Sequence, residues 1–175
     1  MMNRIILYAS TYGTTEQYAR WISEEIGVPA VPLRNAQKVQ LRQAKWVIVG
    51  CPIHAGRPAA AGWVRKHWSQ VADKVVILFT TSGAPPEIPA LREGFAASLP
   101  EHIRSKIEYH PLGGRMLMSE LKPIHRLLMR IGQKLEKDPD AKAGMVRDID
   151  NVDRTSIAPI VARVRSLEPS PNSQV

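Results

Sequence analysis

Short apolar runs alternate with helical repeats along this chain, and that alternation limits its fold more than any other feature. Ile5 to Ala9, Trp46 to Gly50 and Val75 to Thr80 read as buried strands. Val28 to Leu33 is short and holds Pro29 and Pro32, which confines it to a sheet edge. Ile107 to Leu112 supplies a fifth, weaker run. Helical spacing appears after the first strand (Tyr18, Trp21, Ile22, Ile26) and near 58–72, with Trp63, Val64, Trp68 and Val71 expected inward. It returns near 87–98 and over about 153–167, where Ile157, Ile160, Val161 and Val164 fall at core spacing. Strands alternating with helices predict an α/β protein: a five-stranded parallel sheet covered on both faces. The weak second strand suits the order 2-1-3-4-5, whose ligand crevice opens between the first and third strands. At 175 residues, one domain over 1–168 is expected, with a Pro/Ser-rich flexible tail at 169–175.

The first turn carries the chemistry. Ser10-Thr11-Tyr12-Gly13-Thr14-Thr15-Glu16 joins a strand to a helix. Ser10, Thr11, Thr14 and Thr15 offer hydroxyls, and Gly13 lets the main chain come close to a ligand. The turn holds no Lys and no Arg. It therefore matches neither the P-loop, which needs a Lys, nor the G-x-G-x-x-G dinucleotide fingerprint. Hydroxyls and amides at a helix N-terminus suit one terminal monoester phosphate. The bland alternative is an ordinary Ser or Thr N-cap. S-T-x-G-x-T-E directly after the first strand resembles the phosphate loop of flavodoxins, a resemblance that implies FMN as cofactor.

Two further segments lie at the same sheet edge. Gly50 to Pro58 follows the third strand, where the resemblance puts the flat ring of a flavin. Pro52 and Pro58 stiffen it, Ile53, His54 and Ala55 could line the ring, and Gly56 permits a positive φ. Thr80-Thr81-Ser82-Gly83 follows the fourth strand, where small residues allow amides near a ring edge. For His54 the competing reading is a surface loop residue, and for the later segment a simple Gly/Pro turn. Cys51 reads as packing at a strand end rather than as a nucleophile, since no His partner is placed by sequence. No catalytic residue is named by these patterns. One Cys and five scattered His make no metal-ligand set.

Charge adds a second signal. The net charge is +8, and residues 104–137 hold eight basic side chains against three acidic ones, which is +5 of it. A basic surface favours anionic partners. Over 119–137, Leu121, Ile124, Leu128, Ile131 and Leu135 form an apolar stripe. Lys122, Arg126, Arg130 and Lys134 recur every fourth residue on the other side. The ordinary expectation is that the stripe packs on the sheet and the charges are solvated. The sharper ones are contact with an anionic membrane surface, worth about 1 kcal/mol per basic residue, or a lid over the flavin. No recognised motif supports nucleic acid as partner. A single Cys, no signal-peptide pattern and no long apolar run predict a cytoplasmic protein, with membrane association on the cytoplasmic face open to it. The oligomeric state, including a homo-oligomer, is left open.

Over about its first 100 residues the chain resembles the flavodoxin-like superfamily. Along most of its length it is similar to the menaquinone-dependent protoporphyrinogen oxidase family. The likeness rests on the Ser10 to Thr15 loop, on Gly50, Ile53 and Gly56 as a G-x-x-I-x-x-G loop, and on Gly113-Gly114-Arg115 followed by the basic helix. It implies FMN-dependent oxidation of a porphyrinogen with a quinone as acceptor. The chain departs from the family in its short, Pro-rich Ser82 to Pro89 segment, and at Met116-Leu117-Met118, where the family has Tyr and Trp. The expectation is an FMN-dependent oxidoreductase with a small-molecule redox substrate or quinone. The alternative is a flavodoxin-type electron carrier without a substrate of its own.

Overall fold

In the computed structural model the described residues are 3–36, 38–135, 137 and 147–168. The expected tail at 169–175 lies outside them. Strand β1 (Asn3–Tyr8) leads into helix α1 (Thr14–Ile26), then β2 (Ala30–Pro32), a 3-10 turn at Leu33–Asn35 and α2 (Lys38–Gln43). Next come β3 (Ala44–His54), β4 (Arg57–Pro58), α3 (Ala61–Val71), β5 (Val75–Ser82), α4 (Pro89–Ser98), α5 (Glu101–Arg104) and β6 (Ile107–Gly113). The chain continues through β7 (Arg115–Met116), α6 (Pro123–Leu135) and β8 (Ile149–Asp150) to a 3-10 turn at Arg154–Ile157 and α7 (Ala158–Ser166).

The main sheet runs β2-β1-β3-β5-β6, all parallel, with β4 folded back antiparallel onto β3. Leaving β4 aside, this is the order 2-1-3-4-5. The Pro-bearing strand pairs with β1 alone and closes one edge. Period-two alternation splits the core in two. Ile6, Ile48 and Ile77 stand in register across the central strands and face α1 and α7, packing with Tyr18, Ile22, Ile160 and Val164. Leu7, Val49 and Leu78 face the other way, onto Leu41, Val64, Val71 and Phe95. α1 takes its place because Tyr18, Ala19 and Ile22 share one face, and all three are fully buried.

Several boundaries differ from the sequence expectation. α3 starts at Ala61 rather than near 58, because Arg57 and Pro58 pair with His54 and Ile53 instead. Trp63 and Trp68 are only partly buried against the core. The start of the last expected helix is a 3-10 turn, capped where Asp153 accepts from the Thr155 N–H at 2.8 Å. The basic helix is shorter than 119–137. It opens on Pro123, whose missing N–H costs nothing in a first turn. Of its expected apolar stripe only Leu121, just ahead of the helix, is buried. No residue of α6 is buried, and Ile124, Leu127, Leu128, Ile131 and Leu135 are 45–75% exposed.

Candidate functional site

The C-terminal ends of β1, β3 and β5 converge on one cavity of about 610 Å³. That volume lies in the range of small-molecule sites, roughly 300–1,000 Å³. Its first wall is the β1–α1 turn. Gly13 is the N-cap of α1 at φ 84°, a left-handed conformation that glycine adopts without a Cβ clash. The ordinary N-cap reading is therefore corrected, because no side chain caps this helix. Ser10 Oγ instead accepts from the Gly13 N–H at 3.0 Å and closes the turn. The helical ladder begins with Gln17 N–H donating to the Gly13 carbonyl at 2.9 Å. The amides of Thr14, Thr15 and Glu16 have no acceptor among the described residues. A helix that opens with free donors and a positive dipole end draws an anion. Thr14 and Thr15 are buried, and the Thr15 hydroxyl lies 2.8 Å from that of Thr81, which ties the turn to β5.

The second wall is Pro52, Ile53, His54 and Ala55. The sequence read this segment as a loop, but β3 continues through His54 and only two residues turn. Ala55 and Gly56 have φ 47° and 76°, the pair of left-handed residues that a two-residue hairpin demands. Left-handed backbone costs a non-glycine residue on the order of 1 kcal/mol. The strained Ala55 thus stands at the cavity wall. His54 Nε2 lies 3.5 Å from Thr11 Oγ1, which brings the first two walls together. Beneath them Cys51 is fully buried, and burial pushes its thiol pKa up to about 12. That fits a packing residue, not a nucleophile.

Thr81, Ser82 and Gly83 form the third wall. Of the fifteen residues expected at the site, twelve line the cavity. Gly13 and Gly56 shape turns beside it without lining it. Thr80 is turned to the other face of β5 by strand alternation, and its hydroxyl lies 2.9 Å from that of Tyr109. Burial, first, raises the Tyr109 phenol pKa.

A fourth wall was not foreseen residue by residue. It comprises Gly114, Arg115 and Met116, then Leu121, His125, Leu128 and Met129. Arg115 is held by Asp150 at 2.9 Å, across the two-residue ladder of β7 and β8. α6 is fastened to the first wall through Tyr12. The Tyr12 hydroxyl makes a short hydrogen bond with His125 Nδ1, and the two rings meet edge to face at 5.7 Å. The same hydroxyl accepts from the Lys122 N–H at 3.2 Å. The signal that could have found this wall is the spacing of Leu121, His125, Leu128 and Met129, which puts them along one side of a helix.

The lining has an anion-attracting end and a broad apolar side, and no carboxylate among the described residues. Among the described residues no three His, Cys, Asp or Glu side chains form a metal-ion cluster. Such a site can grip an anionic group at the turn and hold a flat apolar body between the strand ends and α6. Two of its hydroxyls lie beside an imidazole, Thr11 beside His54 and Tyr12 beside His125, and these contacts join its walls.

The family model described as Flavodoxin domain matches residues 5–142. No curated protein matches the sequence. Among solved structures, the flavodoxin, WrbA-like protein from Agrobacterium tumefaciens is 17% identical, with 96% of this chain and 100% of that one covered at a TM-score of 0.49. The Trp repressor binding protein from Bacillus subtilis is 15% identical, with 86% and 100% covered at 0.46. A flavoprotein in complex with FMN from Lactobacillus acidophilus is 14% identical, with 65% and 93% covered at 0.45. The family match spans well over half of the chain.

Proposed function

This chain belongs to the flavodoxin domain family, and from that premise we propose that it is an FMN-dependent oxidoreductase. One observation carries the reading: an uncapped helix N-terminus, rich in hydroxyls and free of cations, opens into a cavity that can seat a flat ring. The fit to FMN is chemical. The amides of Thr14, Thr15 and Glu16, with the Thr11 and Thr14 hydroxyls, would hold the phosphate. Pro52 to Ala55 and Thr81 to Gly83 would hold the ring. Among the described residues no lining carboxylate opposes the dianion. Bound there, FMN supplies the electron transfer that these side chains cannot. The protein positions it and excludes water with Ile53, Met116, Leu128 and Met129.

The test is the visible spectrum of the purified protein and the mass of any flavin released on denaturation. Yellow protein that yields FMN, or apoprotein whose melting temperature rises with added FMN, is expected. Saturation at 100 times Kd would add about 2.7 kcal/mol. Colourless protein with no thermal response to FMN would remove the reading.

The finer reading is a porphyrinogen as substrate and a quinone as acceptor. It is supported by the resemblance at Gly50, Ile53, Gly56 and Gly113-Gly114-Arg115, and by Met116, Leu121, Leu128 and Met129 of the fourth wall, which suit a flat lipophilic body. Hydrogen removed from the porphyrinogen would leave on the quinone as quinol. Turnover with menadione above that of free FMN is expected. Flavin-loaded protein with no such turnover, yet reducible by a flavodoxin reductase, would make it an electron carrier instead.

A further inference from the structure

We propose that α6 docks on the surface of an anionic lipid bilayer. Every large hydrophobic side chain that stands exposed among the described residues lies on this one helix: Ile124, Leu127, Leu128, Ile131 and Leu135. At 3.6 residues per turn they span an arc of about 100°. Arg126, Arg130 and Lys134 follow on one flank of that arc. His125 and Met129 take the remaining side, which faces the cavity. The helix thus has three faces: Leu128 of the apolar one reaches the cavity and Arg126 of the basic one bonds nearby carbonyls, while Ile124, Leu127, Ile131 and Leu135 stay exposed and neither Arg130 nor Lys134 has a hydrogen bond or ion pair among the described residues. Contiguous exposed apolar surface of this kind marks an interaction site.

Charge selects the occupant. Residues 121–135 contain Lys122, Arg126, Arg130 and Lys134 and no acid. Among the described residues no carboxylate pairs with any of the four, although Arg126 donates to the carbonyls of Met118, Ser119 and Leu121 at 3.3–3.5 Å. A second copy docking through the same face would set basic flank near basic flank, without acids to relieve it. An anionic headgroup layer satisfies both faces at once: the leucine and isoleucine stripe enters the acyl boundary and the cations meet lipid phosphates. α6 has thirteen residues, and no described helix is long and apolar enough to cross a membrane. The contact is therefore with the surface. The docking does not depend on the flavin reading. Its consequence does: His125, Leu128 and Met129 of the same helix line the cavity, beside Leu121 just ahead of it, so a lipid-dissolved reactant could reach the ring site from the bilayer.

The experiment is flotation of the purified protein with vesicles of phosphatidylglycerol and phosphatidylethanolamine, and with vesicles of phosphatidylcholine alone. Flavin content, circular dichroism and sedimentation velocity are recorded in parallel. Binding to the anionic vesicles, weakened by salt, is expected. Arg130→Gln and Lys134→Gln should each lower the partition coefficient about fivefold. Ile124→Gln with Leu127→Gln and Ile131→Gln should abolish binding while flavin content stays unchanged, which separates this proposal from the cofactor assignment. Absence of binding to anionic vesicles overturns it. So does equal binding to neutral vesicles, or self-association that the triple substitution abolishes in a protein that ignores vesicles.

Discussion

α1 and α6 are both thirteen residues long and both apolar along one side, yet the fold treats them oppositely. α1 buries Tyr18, Ala19 and Ile22 completely between the sheet and α7. α6 buries nothing and keeps its five large apolar residues in the open. Their polar sides differ as well. Glu24 and Glu25 of α1 pair with Arg154, and Glu25 also with Arg165, whereas the cations of α6 meet no described carboxylate. The attachment of α6 is narrow: buried Leu121, and the Tyr12 hydroxyl shared by His125 and the Lys122 amide. A periodic stripe thus states which side of a helix is apolar. What covers that side is decided by whether another element presents a matching face.

The largest effect should come from cutting the same residue type out of both stripes. Ile22→Ala should cost about 2–5 kcal/mol in urea unfolding, since a fully buried site leaves a cavity. Ile131→Ala should change stability by no more than about 0.5 kcal/mol. Equal losses would mean that the α6 stripe is covered in solution, and the contrast between the helices would collapse.

The same contrast explains what the sequence could and could not reveal. The Ser10 to Glu16 turn was legible because its chemistry is local: a strand, a hydroxyl-rich turn, a glycine and a helix are all contiguous. The ends of β3 and β5 were read too short because Gly50, Pro52 and Gly83 are turn signals. Pro52 nonetheless sits in register with Thr81, and its carbonyl accepts from the Ala59 N–H at 3.0 Å. Strand pairing outweighs the local signal there. That Thr81 and not Thr80 faces the cavity follows from period two, given that the strand extends so far. The fourth wall was beyond local reading. β7 and β8 are two residues each, and only their distant pairing makes them strands. Which side of α6 faces the cavity depends on Tyr12 meeting His125, 113 residues away.

Two tyrosine hydroxyls allow a finer version of the comparison. Tyr18 accepts from the Asp153 N–H at 2.9 Å and has no exposure. Tyr18→Phe leaves that amide without its acceptor and should cost about 1–2 kcal/mol of global stability. Tyr12→Phe keeps the ring contact but removes the hydroxyl that fastens α6. It should leave global stability within about 0.5 kcal/mol and raise hydrogen exchange in α6 about five- to tenfold. Unchanged α6 exchange in Tyr12→Phe would show that Leu121 and the helix packing hold α6 without the hydroxyl.

The smallest effect concerns the polar sides. Arg154 sits 3.3 Å from Glu24 and 3.4 Å from Glu25, with its guanidinium over the Trp21 ring at 5.8 Å. It is about half exposed, so solvent screens these contacts. Arg154→Met should cost about 0.2–1 kcal/mol at low salt, part of it vanishing at high ionic strength. Arg130→Met has no ion pair to break among the described residues and should leave stability unchanged at either salt concentration. Its sensitivity to salt should surface only where lipid is present. A salt-dependent stability loss in Arg130→Met would mean that a carboxylate meets that residue in solution. The basic flank would then serve the fold rather than a partner, which would place α6 beside α1 after all.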